Sequence, residues 1–251
     1  MAEIDVTVAD RIMEIRINRP EKRNAITAVM YGAMADALEQ AAGDGEVRAV
    51  TIFGSGGHFS AGNDLRDFQD PAALDRDRPV MRFLLTISTF PKVLIAGVTG
   101  SAIGIGTTML LHCDLVVAGR EAKFAMPFVD LGLVPEAGSS LILPALVGRQ
   151  RAARLLLLAD SFRAGEALHL GIVTEVVDDG SVEEAARGLA LRIAAKPPQA
   201  VMLTKRLMTR DSAAVERRIG EEAAEFAGLL RSPEVAEAIA TFYEKRAPRF
   251  E

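Results

Sequence analysis

Two glycine-rich turns are the first places in this sequence where chemistry can be done. Gly100-Ser-Ala-Ile-Gly-Ile-Gly-Thr-Thr-Met-Leu-Leu-His-Cys-Asp114 has three glycines within seven residues and runs on into an apolar segment. Gly54-Ser-Gly-Gly-His-Phe-Ser-Ala-Gly-Asn63 holds four more. Each follows a run that reads as a strand and leads towards a helical start. A strand, a glycine turn and a helix start leave main-chain N–H groups without partners. Such groups can hold a negative oxygen. Gly100, Gly104 and Gly106 allow close approach to a ligand or a positive φ. The same pattern also fits a tight turn that binds nothing.

A third stretch, Asn18-Arg-Pro-Glu-Lys-Arg-Asn24, crowds Arg19, Lys22 and Arg23 into one polar loop. It reads either as a solvated turn or as a cradle for phosphate.

The elements that must position these turns follow from periodicity. Residues 11–17 alternate as a half-buried strand, with Met13, Ile15 and Ile17 on one side. Thr27 suits the N-cap of a helix over 28–42. Strands are expected at 48–53, 92–98, 114–118 and 171–177. Asp64 is placed to cap a helical turn over 64–68. Residues 70–79 read as a connection, 80–89 as a helix and 122–135 as irregular. Glu136 opens an apolar helix, and further helices follow at 149–159 and 164–170. From Ser181 onward every signal is helical, interrupted at Pro197-Pro198. The expected division is an α/β core over 1–195 and a helical region over 196–251.

The chain has 251 residues, 49% hydrophobic, with a net charge of −5 and no basic block, which disfavours nucleic acid and anionic membranes as partners. Cys113 is the one cysteine. It allows no disulfide within the chain and reads as a small apolar residue. The first residues lack the pattern of a signal peptide, and no apolar run has membrane-spanning length. A cytoplasmic protein is the expectation. Three histidines and one cysteine show no metal-ligand spacing.

Five pieces in order carry a resemblance: Ile17-Asn-Arg-Pro-Glu-Lys-Arg-Asn-Ala25, Phe59-Ser-Ala-Gly-Asn-Asp-Leu65, Gly100 to Asp114, Leu131-Gly-Leu-Val-Pro-Glu-Ala-Gly138, and Ala164-Gly-Glu-Ala with Leu170-Gly-Ile-Val173. In these the chain resembles the crotonase (enoyl-CoA hydratase/isomerase) superfamily nearly end to end. The resemblance implies a spiral of repeated β-β-α units with a C-terminal helical region that makes trimer contacts, giving a homotrimer or a dimer of trimers. It implies acyl-CoA thioesters as substrates, with coenzyme A belonging to the substrate and no separate cofactor or metal. It assigns the thioester oxygen to the amides of Asn63, after Ala61-Gly62, and Ile105, after Gly104. It places Arg19, Lys22, Arg23, Ala25, Ala61, Asp64 and Leu65 near the CoA moiety, and more loosely Lys245.

Removing a proton next to a thioester makes an enolate, whose charge gathers on the oxygen. Preorganised N–H donors stabilise it, and a carboxylate of raised pKa carries the proton. The two glutamates by which hydratases of this superfamily handle water would fall at Thr108 and Phe128. The acid that remains at a motif position is Glu136, which resembles the base of a branch of Δ3,Δ2-enoyl-CoA isomerases. That favours an isomerase with a one-carboxylate proton shuttle. The alternatives are an unusual hydratase, a thioesterase, a decarboxylase, or a non-catalytic acyl-CoA binder. Asp130 and His58 are secondary candidates beside the site. Ser139 and Ser140 lack a histidine at a motif position to activate them. Phe68, Met81, Phe83 and Leu84 are candidates for the acyl-tail pocket.

Overall fold

The computed structural model describes residues 2–64, 78–209, 211–244 and 246–250. The chain opens with β1 (Ile4–Ala9) and β2 (Ile12–Ile17), then α1 (Ala28–Gly43) and β3 (Ala49–Gly54). After α2 (Pro79–Ser88) come β4 (Val93–Val98), β5 (Ser101–Ile103) and the one-turn helix α3 (Ile105–Thr108). Next are β6 (Leu115–Gly119), β7 (Lys123–Ala125), α4 (Ser139–Val147), α5 (Arg149–Leu157), β8 (Phe162–Arg163), α6 (Ala164–His169) and β9 (Glu175–Val177). Four helices follow: α7 (Val182–Ala194), α8 (Pro198–Met208), α9 (Ser212–Leu229) and α10 (Pro233–Glu244).

Six strands form one sheet in the order β1-β2-β3-β4-β6-β9, parallel except for the β1–β2 hairpin. Beside it the chain climbs a shorter ladder. Ile26 bridges Asn63, Ser60 bridges Ala102, and β5 pairs with β7, all in parallel. Each turn of the chain therefore adds one rung to the sheet and one to the ladder, the wound β-β-α architecture expected from the motifs. The two glycine turns lie where the chain passes from sheet to ladder.

β3 and β4 are nearly continuous apolar runs because both faces of the sheet are covered. One face packs Phe53, Ile95 and Val117 against Val182, Ala186 and Ala190 of α7. The other packs Ile52 and Leu94 into the main core with Met34 and Leu38 of α1 and Phe83 and Leu84 of α2. Val215, Ile219 and Phe226 of α9 and Val235 of α10 join that same core. Thr27 caps α1, accepting from the Met30 amide at 3.3 Å, and α8 starts at Pro198, after the expected break.

The structure departs from the sequence reading at β1, at the last strand and at β7, which lies inside the stretch read as irregular. β1 escaped the sequence reading because most of its side chains are exposed, so no apolar face marks it. The strand expected over 171–177 is confined to Glu175–Val177, because the amides of Ile172 and Val173 fold back onto the Ala167 carbonyl. Among the described residues no helix is long and apolar enough to cross a membrane.

Gly97 in β4 leaves room for the Phe53 ring. A Cβ there would lie 2.4 Å from that ring and 3.2 Å from Val182. The ring has little freedom to move, since the Arg16 and Arg187 guanidinium groups lie 5.2 and 5.1 Å from its centroid. Gly97→Ala is expected to lower unfolding free energy by about 1–3 kcal/mol through overpacking. Gly165→Ala, in α6 with open space around it, should be neutral. Urea denaturation of both variants checks this.

Candidate active site

The two glycine turns meet. A Cβ on Gly62 (φ +93°) would lie 2.9 Å from the Ile103 carbonyl oxygen and 3.9 Å from Gly104 Cα. Glycine is required at both turns, since Gly104 also has positive φ, at +56°. In the first turn the amides of Ser60, Ala61, Gly62 and Asp64 donate to Ser101 O, Arg23 O, Ser60 Oγ and Ile26 O. In the second, the amides of Ile103, Gly104, Thr107 and Thr108 are also engaged. The amides of Asn63 and Ile105 have no partner among the described residues. Each directly follows one of the two abutting glycines.

A buried polar network holds the first turn. Asn24 is fully buried, and its Nδ2 reaches Ser55 O at 2.8 Å and His58 O at 2.7 Å. Its carbonyl accepts from Ser60 Oγ at 2.9 Å, and that same oxygen accepts the Gly62 amide at 3.1 Å. Asn24 thus ties the cationic loop to the glycine turn.

Glu136 lies against this corner. It is 5% exposed, and its Oε2 accepts from Asn63 Nδ2 at 3.4 Å. Asn63 Oδ1 accepts from the hydroxyl of the buried Tyr31, which fixes the amide's orientation. Glu136 Oε1 is buried and has no hydrogen-bond partner among the described residues. Burial, above all, pushes the Glu136 carboxyl up to about 8. The bond from Asn63 opposes that shift, and the Glu222 carboxylate adds to it. Tyr31 is also pushed well above its ordinary value, by burial first and then by Glu136. Thr108 is fully buried, its Oγ1 without a hydrogen-bond partner among the described residues, and Phe128 is buried and apolar. Glu136 does not open a helix as expected: α4 begins at Ser139, with Gly138 as its N-cap.

Other candidates are distributed unevenly. Arg19 turns its charge inward, donating to Asp64 Oδ2 at 2.7 Å and Ala25 O at 3.0 Å, with Glu3 Oε1 at 3.1 Å. Asp64 is thereby an anchor for Arg19. Lys22 and Arg23 are exposed and make no ion pair among the described residues. Ala25 and Ala61 flank the loop junction through their main chains. Asp130 is exposed, and Ser139 is a buried donor to Glu136 O at 2.6 Å. Met81, Phe83 and Leu84 are buried in α2, where the Phe83 ring packs 5.3 Å from that of Tyr31. Leu65, Phe68, Lys245 and the helical turn over 64–68 beyond its first residue lie outside the described residues. Sequence reasoning missed Asn24, Tyr31 and Glu222. Asn24 alone carried a signal, as a polar residue inside the first motif.

A buried acid of raised pKa works against folding once its unfolded counterpart ionises. Below about 4.5 both states are protonated and nothing is lost. Between about 4.5 and about 8 stability falls by roughly 1.4 kcal/mol per pH unit for this group, and above that the loss is constant. Glu136→Gln is therefore expected to melt higher than the parent at pH 8, and the gap should close towards pH 4.5. Thermal unfolding of both proteins across that range measures it. A gap independent of pH would refute the assignment.

Comparison with known proteins places this architecture. The family model described as enoyl-CoA hydratase/isomerase matches residues 7–251. The chain is 32% identical over 254 residues to 2,3-dehydroadipyl-CoA hydratase of Escherichia coli K12, covering 100% of this chain and 99% of that one. It is 37% identical over 224 residues to enoyl-CoA delta isomerase 2 of Rattus norvegicus, covering 86% of this chain and 57% of that one. The crystal structure of an enoyl-CoA hydratase/isomerase from Pseudoalteromonas atlantica T6c superimposes with a TM-score of 0.95 at 40% identity, covering 100% of both chains. The wound sheet-and-ladder fold and these matches agree: the chain belongs to the enoyl-CoA hydratase/isomerase family.

Proposed function

We propose that the protein is a Δ3,Δ2-enoyl-CoA isomerase that works by a one-carboxylate proton shuttle. The observation that carries this reading is a buried acid at a motif position, Glu136, beside two amides that have no partner among the described residues. The positions that would supply a hydratase's water-handling pair are Thr108 and Phe128, neither of them acidic. The thioester oxygen accepts from the Asn63 and Ile105 amides. Ionised Glu136 takes a proton from C2; the C–H electron pair forms a double bond between C1 and C2 and the carbonyl pair moves onto the oxygen, giving a dienolate conjugated with the C3–C4 double bond. The amides stabilise its oxygen, each contributing about 3 kcal/mol by analogy with other oxyanion sites. Glu136 then returns the proton to C4, leaving the double bond conjugated with the thioester. No water enters the balance.

The CoA phosphates meet Lys22 and Arg23, the exposed cations of the loop, while paired Arg19 shapes that loop from inside. Subunits associate as trimers or as a dimer of trimers through apolar side chains left in water by the single chain, among them Leu157, Leu158, Leu207 and Met208. These exposed apolar side chains support association in general, and the trimer is what the family resemblance adds.

Incubating the enzyme with a 3-enoyl-CoA in oxygen-18 water should yield the 2-enoyl isomer without label on C3. Because the shuttle needs ionised Glu136, kcat/KM should rise with pH to about 8 and then level off. Glu136→Gln should lose roughly 10²–10⁴-fold in turnover. Full activity in that variant, or labelled 3-hydroxyacyl product from the parent, would overturn the reading.

A further inference from the structure

Glu136 sits on an elbow whose backbone is out of the ordinary. Ala137 and Gly138 both have left-handed φ, +61° and +68°. For alanine that conformation is unfavourable and persists only where its surroundings over-determine it. Two side chains from distant parts of the chain do so. His112, in the turn after α3, bonds through Nε2 to the Ala137 carbonyl at 2.7 Å. A carbonyl only accepts, so Nε2 carries the hydrogen and the ring is in the matching neutral tautomer. On α9, Glu222 accepts from the Gly138 amide at 2.6 Å and the Ser140 amide at 2.9 Å. It is buried, so its charge is held where the first free amides of α4 point. Locally, Ser139 closes the elbow by donating from its amide and hydroxyl to Glu136 O, at 3.1 and 2.6 Å.

We infer that Glu222 and His112 are positioning residues for Glu136, clamping the 136–140 elbow from two sides so that the carboxyl is aimed at the corner formed by Asn63 and Ile105. The inference rests on the proposed shuttle and deepens it. Neither residue carries a proton in the reaction. The charged and titratable groups facing this clamp are Tyr31 from α1, Arg218, which donates to Ser140 Oγ at 3.1 Å, and Lys205 of α8 on the His112 side. Burial keeps His112 neutral, lowering it to about 4 against the effect of its bond to Ala137. The His112 half of the clamp therefore keeps one form over the working range, while burial raises the Glu222 carboxyl against the bonds from Ser140 and Gly138.

The test compares Glu222→Gln, His112→Leu and His112→Gln, the last able to restore an N–H donor. Three quantities are read: kcat and KM for a 3-enoyl-CoA, the folded fraction, and the titration of Glu136 followed by its carboxyl infrared band. Glu222→Gln keeps the shape but removes the charge, so the Glu136 midpoint should fall below the parent's. Turnover should drop by roughly tenfold or more from misaiming, while KM stays within about twofold because the CoA loops are untouched. His112→Leu should lose turnover similarly, and His112→Gln should recover part of it. Parental kcat and an unmoved midpoint overturn the inference. So does a loss that matches the unfolded fraction, or failure of the Gln variants to fold, since either assigns the pair to stability alone. If Glu136→Gln turns over at the parental rate, the proposed function fails separately, and the infrared titration in Glu222→Gln still decides whether the clamp acts on Glu136.

Discussion

A carboxyl group kept out of water is the constraint around which this molecule is arranged. Glu136 has one oxygen held by Asn63 and the other with no hydrogen-bond partner among the described residues. Such a group raises its pKa because the charged form loses hydration that the protein does not replace. The arrangement is unfavourable for folding and favourable for proton transfer. The buried Tyr31 orients the Asn63 amide that meets Glu136. The sheet and ladder around it bring two unpaired amides to the same place. The fold thereby concentrates unsatisfied polarity of opposite kinds, donors and an acceptor, in a single corner.

Much of this was legible in the sequence because glycine and proline constrain backbone geometry locally. The two glycine turns, the N-cap at Thr27, the break at Pro197-Pro198 and the buried strands β3 and β4 all follow from short-range rules, and each is present. The winding of the chain was legible only through motifs taken together. What stayed hidden depends on contacts across long separations. Glu222 lies 84 residues from the amide it accepts, on a helix whose own pattern says only that one face is buried. Tyr31 looks like any aromatic on an apolar helix face until Asn63 is placed beside it. Arg19 reads as a free cation until Asp64, 45 residues on, is seen to take its charge. β1 failed for the opposite reason: its information lies in the pairing with β2, since its own side chains are mostly exposed.

Membership of the family accounts for the scaffold and leaves room for different chemistries, because reaction type depends on a few side chains facing one corner. At that corner this chain has a threonine, a phenylalanine and one glutamate. Relatives of similar likeness carry names of both kinds, hydratase and isomerase.

The grip of Glu222 on Gly138 and Ser140 also bears on how the enzyme comes into being. Ribosomes deliver the amino-terminal turns first, and these can wind before the rest has emerged. The elbow that bears Glu136 then waits, unbraced, for a helix near the end of the message. Polypeptides cut short before α9 lose Val215, Ile219 and Phe226 from the main core together with the carboxylate that bonds the elbow. The main core and the bonds from Glu222 to the elbow are therefore completed together, late in synthesis.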